Sequence, residues 1–329
     1  MNRKRHRKEK HKSNKNKNII KDDNNNQNKI NKMEEENDEN EDNTNNELFN
    51  CVFIFSCILP DYFLMIKNLI MPNFFTENIS LNGLTDLVIC MREDVGTTLK
   101  VENDDENKIF GVFTLIPLPF YNNNPAVIQL LTMLKSKIQN INDNNLKISL
   151  LNILSTKRLG LLINERFLNL PEPLIAPSLN FIINEINECI EIANDKNNKN
   201  ISKEEKNKYN LDYIIIYSRY VLKDIANNIN NEDKGNYKYD DDNYINLVIK
   251  DNQNKKAKID LNDDKIYYKY EMEYFIQKAD YSFEYKLNGG IYDSSSIYFD
   301  KNNNEKQYMK IVFITKQKFY EVINQLNKK

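Results

Sequence analysis

Apolar positions first gather at residues 49–59, "FNCVFIFSCIL", an aromatic and β-branched run that predicts a buried strand ended by Pro60. Asp61 then opens a helix to about Met71, apolar at Phe63, Leu64, Ile66, Leu69 and Ile70, which Pro72 stops. A short helix near Leu81 to Arg92 can start from Ser80. "VGTTLKV" (Val95 to Val101) and "IFGVFTLIPL" (Ile109 to Leu118) read as paired strands around the acidic loop "ENDDEN". Helices follow at about Pro125–Gln139 and Leu146–Ser155. The first carries Pro at its opening position, where a missing N–H costs nothing.

A wholly apolar strand, Leu159–Ile163, leads into the compact stretch "NERFLNLPEPLIAP", which spends three prolines in seven residues before a helix from Ser178 through about Ala193. Beyond it lie two polar inserts, near 194–208 and 227–243, either side of another buried strand, Leu211 to Leu222. The last third is rich in Tyr and Ile. Gly289–Gly290 marks a tight turn there, and the chain closes with strand Met309–Thr315 and a helix from about Lys316. Strands alternating with helices, several apolar throughout, predict an α/β sheet covered on both faces. The 329 residues permit one such domain over 48–329, with polar inserts as loops whose closure cost grows slowly with length.

Charge alters the picture at the amino terminus. Residues 1–47 hold 12 Lys/Arg and 11 Asp/Glu, split into a basic block, "RKRHRKEKHK" (Arg3 to Lys12), and an acidic one, "EEENDENED" (Glu34 to Asp42). Neither buries apolar area to offset chain entropy, so this tail is expected to be disordered. Arg3, Lys4, Arg5, Arg7, Lys8, Lys10 and Lys12 are candidates for a nuclear or nucleolar import signal, with a nucleic-acid contact and a plain solvated charge run as the other readings. The formal net charge is −2, so nothing global demands a nucleic-acid partner. Four cysteines without C-x-x-C spacing and a charged start without an apolar core lead us to expect an intracellular, reduced protein. No apolar run reaches the ~18–20 residues of a spanning helix.

Both histidines, His6 and His11, lie in the tail, which removes imidazole catalysis and imidazole metal ligands from the folded body. Neither G-x-x-x-x-G-K-[ST] nor G-x-G-x-x-G occurs. No catalytic residue, metal site or cofactor is therefore expected. Glu165 and Arg166 are the one charged pair set tightly between apolar elements. Three readings stand for them: a general base with an anion clamp, a salt-bridged or backbone-capping pair at a strand end, or, with Phe167, a partner-binding anchor.

"GLLINERFLNLPEPLIAPSLNFIINEI" resembles the hallmark segment of the BCCIP family, on which Gly160, Glu165, Arg166, Phe167, Asn169, Pro171 and Ala176 fall, with Pro177 near the family's next proline. Asn164 stands where Ser is common, and Glu172–Pro173–Leu174 departs from the usual loop. "VGTTLKV" and "DDENKIFGVFTLIPL" are similar to a second family stretch, through Gly96, Thr97, Lys100, Phe110 and Gly111. The neighbourhood of Glu271 to Tyr274 and "IVFITKQKFYEVINQL" match more loosely.

The resemblance implies a central mixed β-sheet flanked by helices with acetyltransferase (GNAT)-like topology. It implies a non-enzymatic nuclear adaptor, shuttling to the cytoplasm, that chaperones a basic large-subunit ribosomal protein and supports ribosome biogenesis and nuclear export. Nuclear transport machinery would be a partner, and animal relatives add cell-cycle and DNA-repair proteins; neither a membrane nor direct nucleic-acid binding is expected. A cell-cycle or DNA-repair scaffold and a residual acyltransferase are the rival roles. The (R/Q)-x-x-G-x-(G/A) signature that holds coenzyme A in acetyltransferases is absent after every predicted strand, so likeness of fold does not carry the activity.

Overall fold

The computed structural model describes residues 52–74, 77–104, 106–167, 170–195, 201–222, 265–287 and 307–328. The charged tail, the insert at 227–243, Asn169 and the Gly289–Gly290 turn lie outside these residues.

Strands β1 (Phe53–Ser56), β2 (Thr97–Val101), β3 (Gly111–Pro117), β4 (Leu159–Arg166), β5 (Tyr213–Leu222), β6 (Lys265–Tyr267), β7 (Tyr281–Lys286) and β8 (Tyr308–Thr315) form one mixed sheet. Its order is β1-β2-β3-β4-β5-β8-β7, with β6 paired to β5. Every pairing is antiparallel except β4 with β5. Helices are α1 (Phe63–Phe74), α2 (Leu81–Cys90), α3 (Pro125–Gln139), α4 (Asn144–Thr156), α5 (Ile175–Asn194), α6 (Lys203–Lys206), α7 (Met272–Lys278) and α8 (Lys316–Leu326).

Strand side chains alternate between faces, so the registers sort the residues. Glu165, Tyr217, Phe313 and Tyr285 share one face with α1 and α3: Phe74 sits edge-on to Tyr217 at 4.8 Å, and Lys137 lies 4.1 Å over Tyr285. Leu99, Phe113, Asn164 and Arg166 share the other face with α5 and α7; Phe181 of α5 stacks on Phe55 there. Two covered faces explain why β3 and β4 are buried from end to end, including Thr114 and the polar Asn164, Glu165 and Arg166 that close β4. Ser80 and Asn124 cap α2 and α3 through their side-chain oxygens, as short polar side chains do at helix starts.

Several sequence expectations change. Residues 49–59 yield an edge strand of four residues rather than a buried one, with Ile54 and Phe55 exposed. Pro72 does not stop α1 but sits in its last turn. Strand β4 runs on through Glu165 and Arg166, so the pair belongs to the strand instead of a corner after it. Helix α5 begins at Ile175, which puts Pro177 inside its first turn, where backbone N–H groups have no intrahelical partner to lose. The polar insert at 194–208 is in part docked structure. Ser202 and Glu205 form a capping box on α6, Ile201 and Tyr209 are buried, and Lys208 pairs with Asp94 and lies 4.1 Å over Phe120.

Candidate functional site

Strands β4 and β5 pair in parallel only over Leu159–Leu161 and Tyr213–Ile215, then part. The far side of β5 is taken by β8 over Tyr213–Tyr220. On the side β4 has left, β6 pairs with Tyr220–Leu222, and Tyr268 donates its N–H to the Arg219 carbonyl. Residues 268–271, "YKYE", therefore fill the wedge between the two strands in a turn that passes through the sheet, so that Lys269 and Glu271 reach opposite faces.

Both reaches end on the NER segment. On the α1 face, Lys269 Nζ donates to Glu165 Oε1 at 2.6 Å, while Asn73 Nδ2 of α1 donates to Glu165 Oε2 at 2.8 Å. On the opposite face, Arg166 grips Glu271 with two parallel bonds of 2.8 Å, NH1 to Oε1 and NH2 to Oε2. Asn164 completes this side: its Nδ2 donates to Glu271 Oε1 at 2.6 Å and its Oδ1 accepts from Arg166 at 3.0 Å. All six side chains are buried, Glu271 to 1% exposure. Tyr270, between the two anchors, donates its hydroxyl to the Glu172 carbonyl at 3.1 Å and so ties the wedge to the proline corner.

Burial opposes the charges of Lys269, Glu271 and Arg166. It pulls Lys269 below the ordinary lysine value, with Glu165 pushing the other way. Burial would raise Glu271, but the guanidinium of Arg166 outweighs it and holds the carboxyl below the usual range. Arg166 likewise rises despite burial, because Glu271 sits against it. Tyr217, buried beside Glu165, is pushed well up, first by burial and then by that charge. Two cavities flank the pairs, about 20 Å³ beside Glu165 and Arg219 and about 10 Å³ beside Asn164 and Phe275. Each has room for a water at most.

Of the three readings of Glu165 and Arg166, the geometry favours ion pairing, but with different partners: each is bound to the 268–271 segment and not to the other. The remaining motif residues divide by exposure. Gly96, Thr97, Gly111, Gly160 and Ala176 are buried with the ion pairs and offer no partner surface. Gly160 is needed for close approach, since a Cβ there would come within 2.7 Å of Leu211. Phe110 and Pro177 are half-buried, while Phe167 and Pro171 are exposed. Phe167 packs on Phe110 at 5.9 Å, and Phe110 meets Phe53 edge-on at 6.1 Å. Asn73, Lys269 and Glu271 carry no sequence signal as partners of the segment, being about a hundred residues away from it. Among the described residues no His/Cys/Asp/Glu group could hold a metal, and no helix is long and apolar enough to cross a membrane.

A family model described as BCCIP matches residues 48–275, a span that includes both halves of the double ion pair. The chain belongs to the BCCIP family. It is similar to Protein BCCIP homolog of Drosophila melanogaster, 29% identical over 135 residues, 37% of this chain and 46% of that one. Protein bcp1 of Schizosaccharomyces pombe is 27% identical over 147 residues, 43% of this chain and 51% of that one. The chain spans about half the length of these curated relatives. Among solved structures, the crystal structure of BCP1 from Saccharomyces cerevisiae superposes with a TM-score of 0.51 at 17% identity, covering 88% of this chain and 93% of that one. The BCCIP fold is thus shared as a mixed α/β sheet flanked by helices, and the match ends within α7 while β7, β8 and α8 complete the sheet and one helical layer.

Proposed function

We propose that this BCCIP-family chain is a non-enzymatic nuclear adaptor that binds a basic large-subunit ribosomal protein, supports ribosome biogenesis and travels with the nuclear transport machinery between nucleus, nucleolus and cytoplasm. Family membership supports the carrier role. One observation carries its non-enzymatic character. The parting of β4 from β5, which also supports an acetyltransferase-like topology, would leave an opening in the sheet, and here it is filled by Lys269 and Glu271 locked in buried ion pairs. Opening it would strand four charges in the interior, at a cost of several kcal/mol per ion.

Two experiments separate the parts of this reading. Acetyl-CoA at about 100 times the dissociation constant of a real site would stabilise the protein by about 2.7 kcal/mol. The expected thermal shift is nil, and a clear one would restore the acyltransferase reading. Co-purification from nuclear extract at low salt should recover a large-subunit ribosomal protein. Recovery of cell-cycle or DNA-repair proteins without it would move the assignment to a scaffold.

A further inference from the structure

Strand β1 forms one margin of the sheet. Its ladder with β2 places Glu102 N–H on the Val52 carbonyl, which turns the backbone of Val52, Ile54 and Ser56 toward β2. The N–H and C=O groups of Phe53 and Phe55 therefore point outward, and among the described residues no strand pairs with that edge. Natural edges are blunted by charge, proline or a bulge. Apart from its shortness, four residues, β1 carries none of these devices: "FNCVFIFSCIL" contains no charged residue and no proline, and Ile54 and Phe55 are 37% and 38% exposed on opposite faces.

Acidic groups border this edge. At its start Glu102 bonds to Val52 and leads into the loop after β2, which carries Asp104 and Glu106; of the basic groups there, Lys108 is paired to Glu106 and Lys100, opposite Ile54, is bonded to Asn107. At its other end Phe181 of α5 stacks on Phe55 at 5.7 Å. Glu188, two helical turns on and on the same stripe as Phe181, is exposed, and α5 has no Lys or Arg in its length.

The geometry points to strand addition: β1 takes up an extended partner segment in which apolar residues alternate with Lys or Arg. Backbone bonds to Phe53 and Phe55 supply the pairing. The apolar residues cover the phenylalanines, and the basic ones meet the acidic borders. The inference deepens the adaptor reading and rests on it only for the identity of the partner.

The test uses the full chain and a fluorescein-labelled peptide of five Val-Lys repeats. Two controls accompany it: the same peptide with its central valines replaced by proline, and five Val-Glu repeats. Anisotropy should show the Val-Lys peptide binding at least ten-fold tighter than either control, and amide exchange at Phe53 and Phe55 should slow when it binds. Phe55→Pro removes one outward N–H without touching the β2 ladder; because it also removes the ring stacked on Phe181, it is compared with Phe55→Leu, relative to which binding should weaken at least ten-fold. Should the proline variant unfold, the exchange result on the unaltered chain decides. Absence of binding, equal binding of the proline peptide, or unchanged exchange at both positions would overturn the proposal. So would sedimentation showing a dimer in which these two amides are already protected, since a second copy would then own the edge. Recovery of the ribosomal protein from nuclear extract is a separate readout, so either result can fail without the other.

Discussion

Glu165 and Arg166 are neighbours in β4 whose charges end on opposite faces of the sheet, and residues two apart in one short segment neutralise both: Lys269 at 2.6 Å and Glu271 at 2.8 Å. A strand sends adjacent side chains to opposite sides, so only a segment passing through the sheet can meet both. The parting of β4 from β5 provides that passage. The consequence is a fastening of residues 265–271 to the proline corner across about a hundred residues of sequence.

Removing one partner of the Arg166–Glu271 pair leaves the other charged and buried. Glu271→Gln and Arg166→Met should each destabilise the fold by about 3–5 kcal/mol, the usual cost of breaking a buried pair. The double replacement Arg166→Met with Glu271→Leu should recover much of that loss, because no uncompensated charge remains. Urea denaturation of the four proteins gives the coupling energy. Additive losses would show that the two side chains do not act as a pair.

The pH dependence has a definite sign. Glu271 is held below its reference value of 4.5 when folded, so the unfolded chain binds more protons in the interval between the two values. Its contribution is complete above the ordinary carboxylate value and is lost as pH falls through the folded value. Lys269, lowered when folded from 10.5, also makes stability rise with pH, over the interval just below 10.5. The urea midpoint should therefore fall on acidification below about pH 5. In Glu271→Gln the fall should be shallower, and an equal slope would dissociate it from this carboxyl.

The elements were legible wherever a single face or a local cap decided them. The Pro125 start and Gln139 end of α3 follow from Asn124, Pro125 and an apolar face, and β3 and the Leu159–Ile163 part of β4 from largely apolar runs. The site was only half legible. The isolated charges at 165 and 166 in an apolar setting announced that partners must exist, since buried charges are paired. The partners could not be named, because pairing across the wedge depends on where β4 and β5 separate, and no local periodicity encodes that. Strand β1 was misjudged for a related reason: an apolar run looks the same at the centre of a sheet and at its margin.

Gly111 stands opposite Arg166 in the β3–β4 ladder, and a Cβ there would come within 2.9 Å of the Phe113 ring and 3.2 Å of Arg166 Cβ. Gly111→Val should cost about 1–3 kcal/mol by overpacking. Because the added bulk meets the edge of the Phe113 ring, its effect should be smaller in the Phe113→Leu background, which lacks those ring atoms. A thermal or urea series over the four combinations measures this, and equal losses in both backgrounds would mean the crowding falls on Arg166 Cβ instead.

The basic block places Arg3, Lys4, Arg5, Arg7, Lys8, Lys10 and Lys12 within ten residues, a density that suits the proposed import signal. Such a signal would require the charges and no particular fold. Deleting residues 1–12 from a fluorescently tagged full chain should shift it from nucleus to cytoplasm, and the same seven positions changed to Gln should do so equally. The melting temperature should stay unchanged in both, because among the described residues the sheet begins at β1. An unaltered nuclear signal in either protein would assign import to another segment or to the bound partner. A change in melting temperature would mean that the block packs on the body and acts through it.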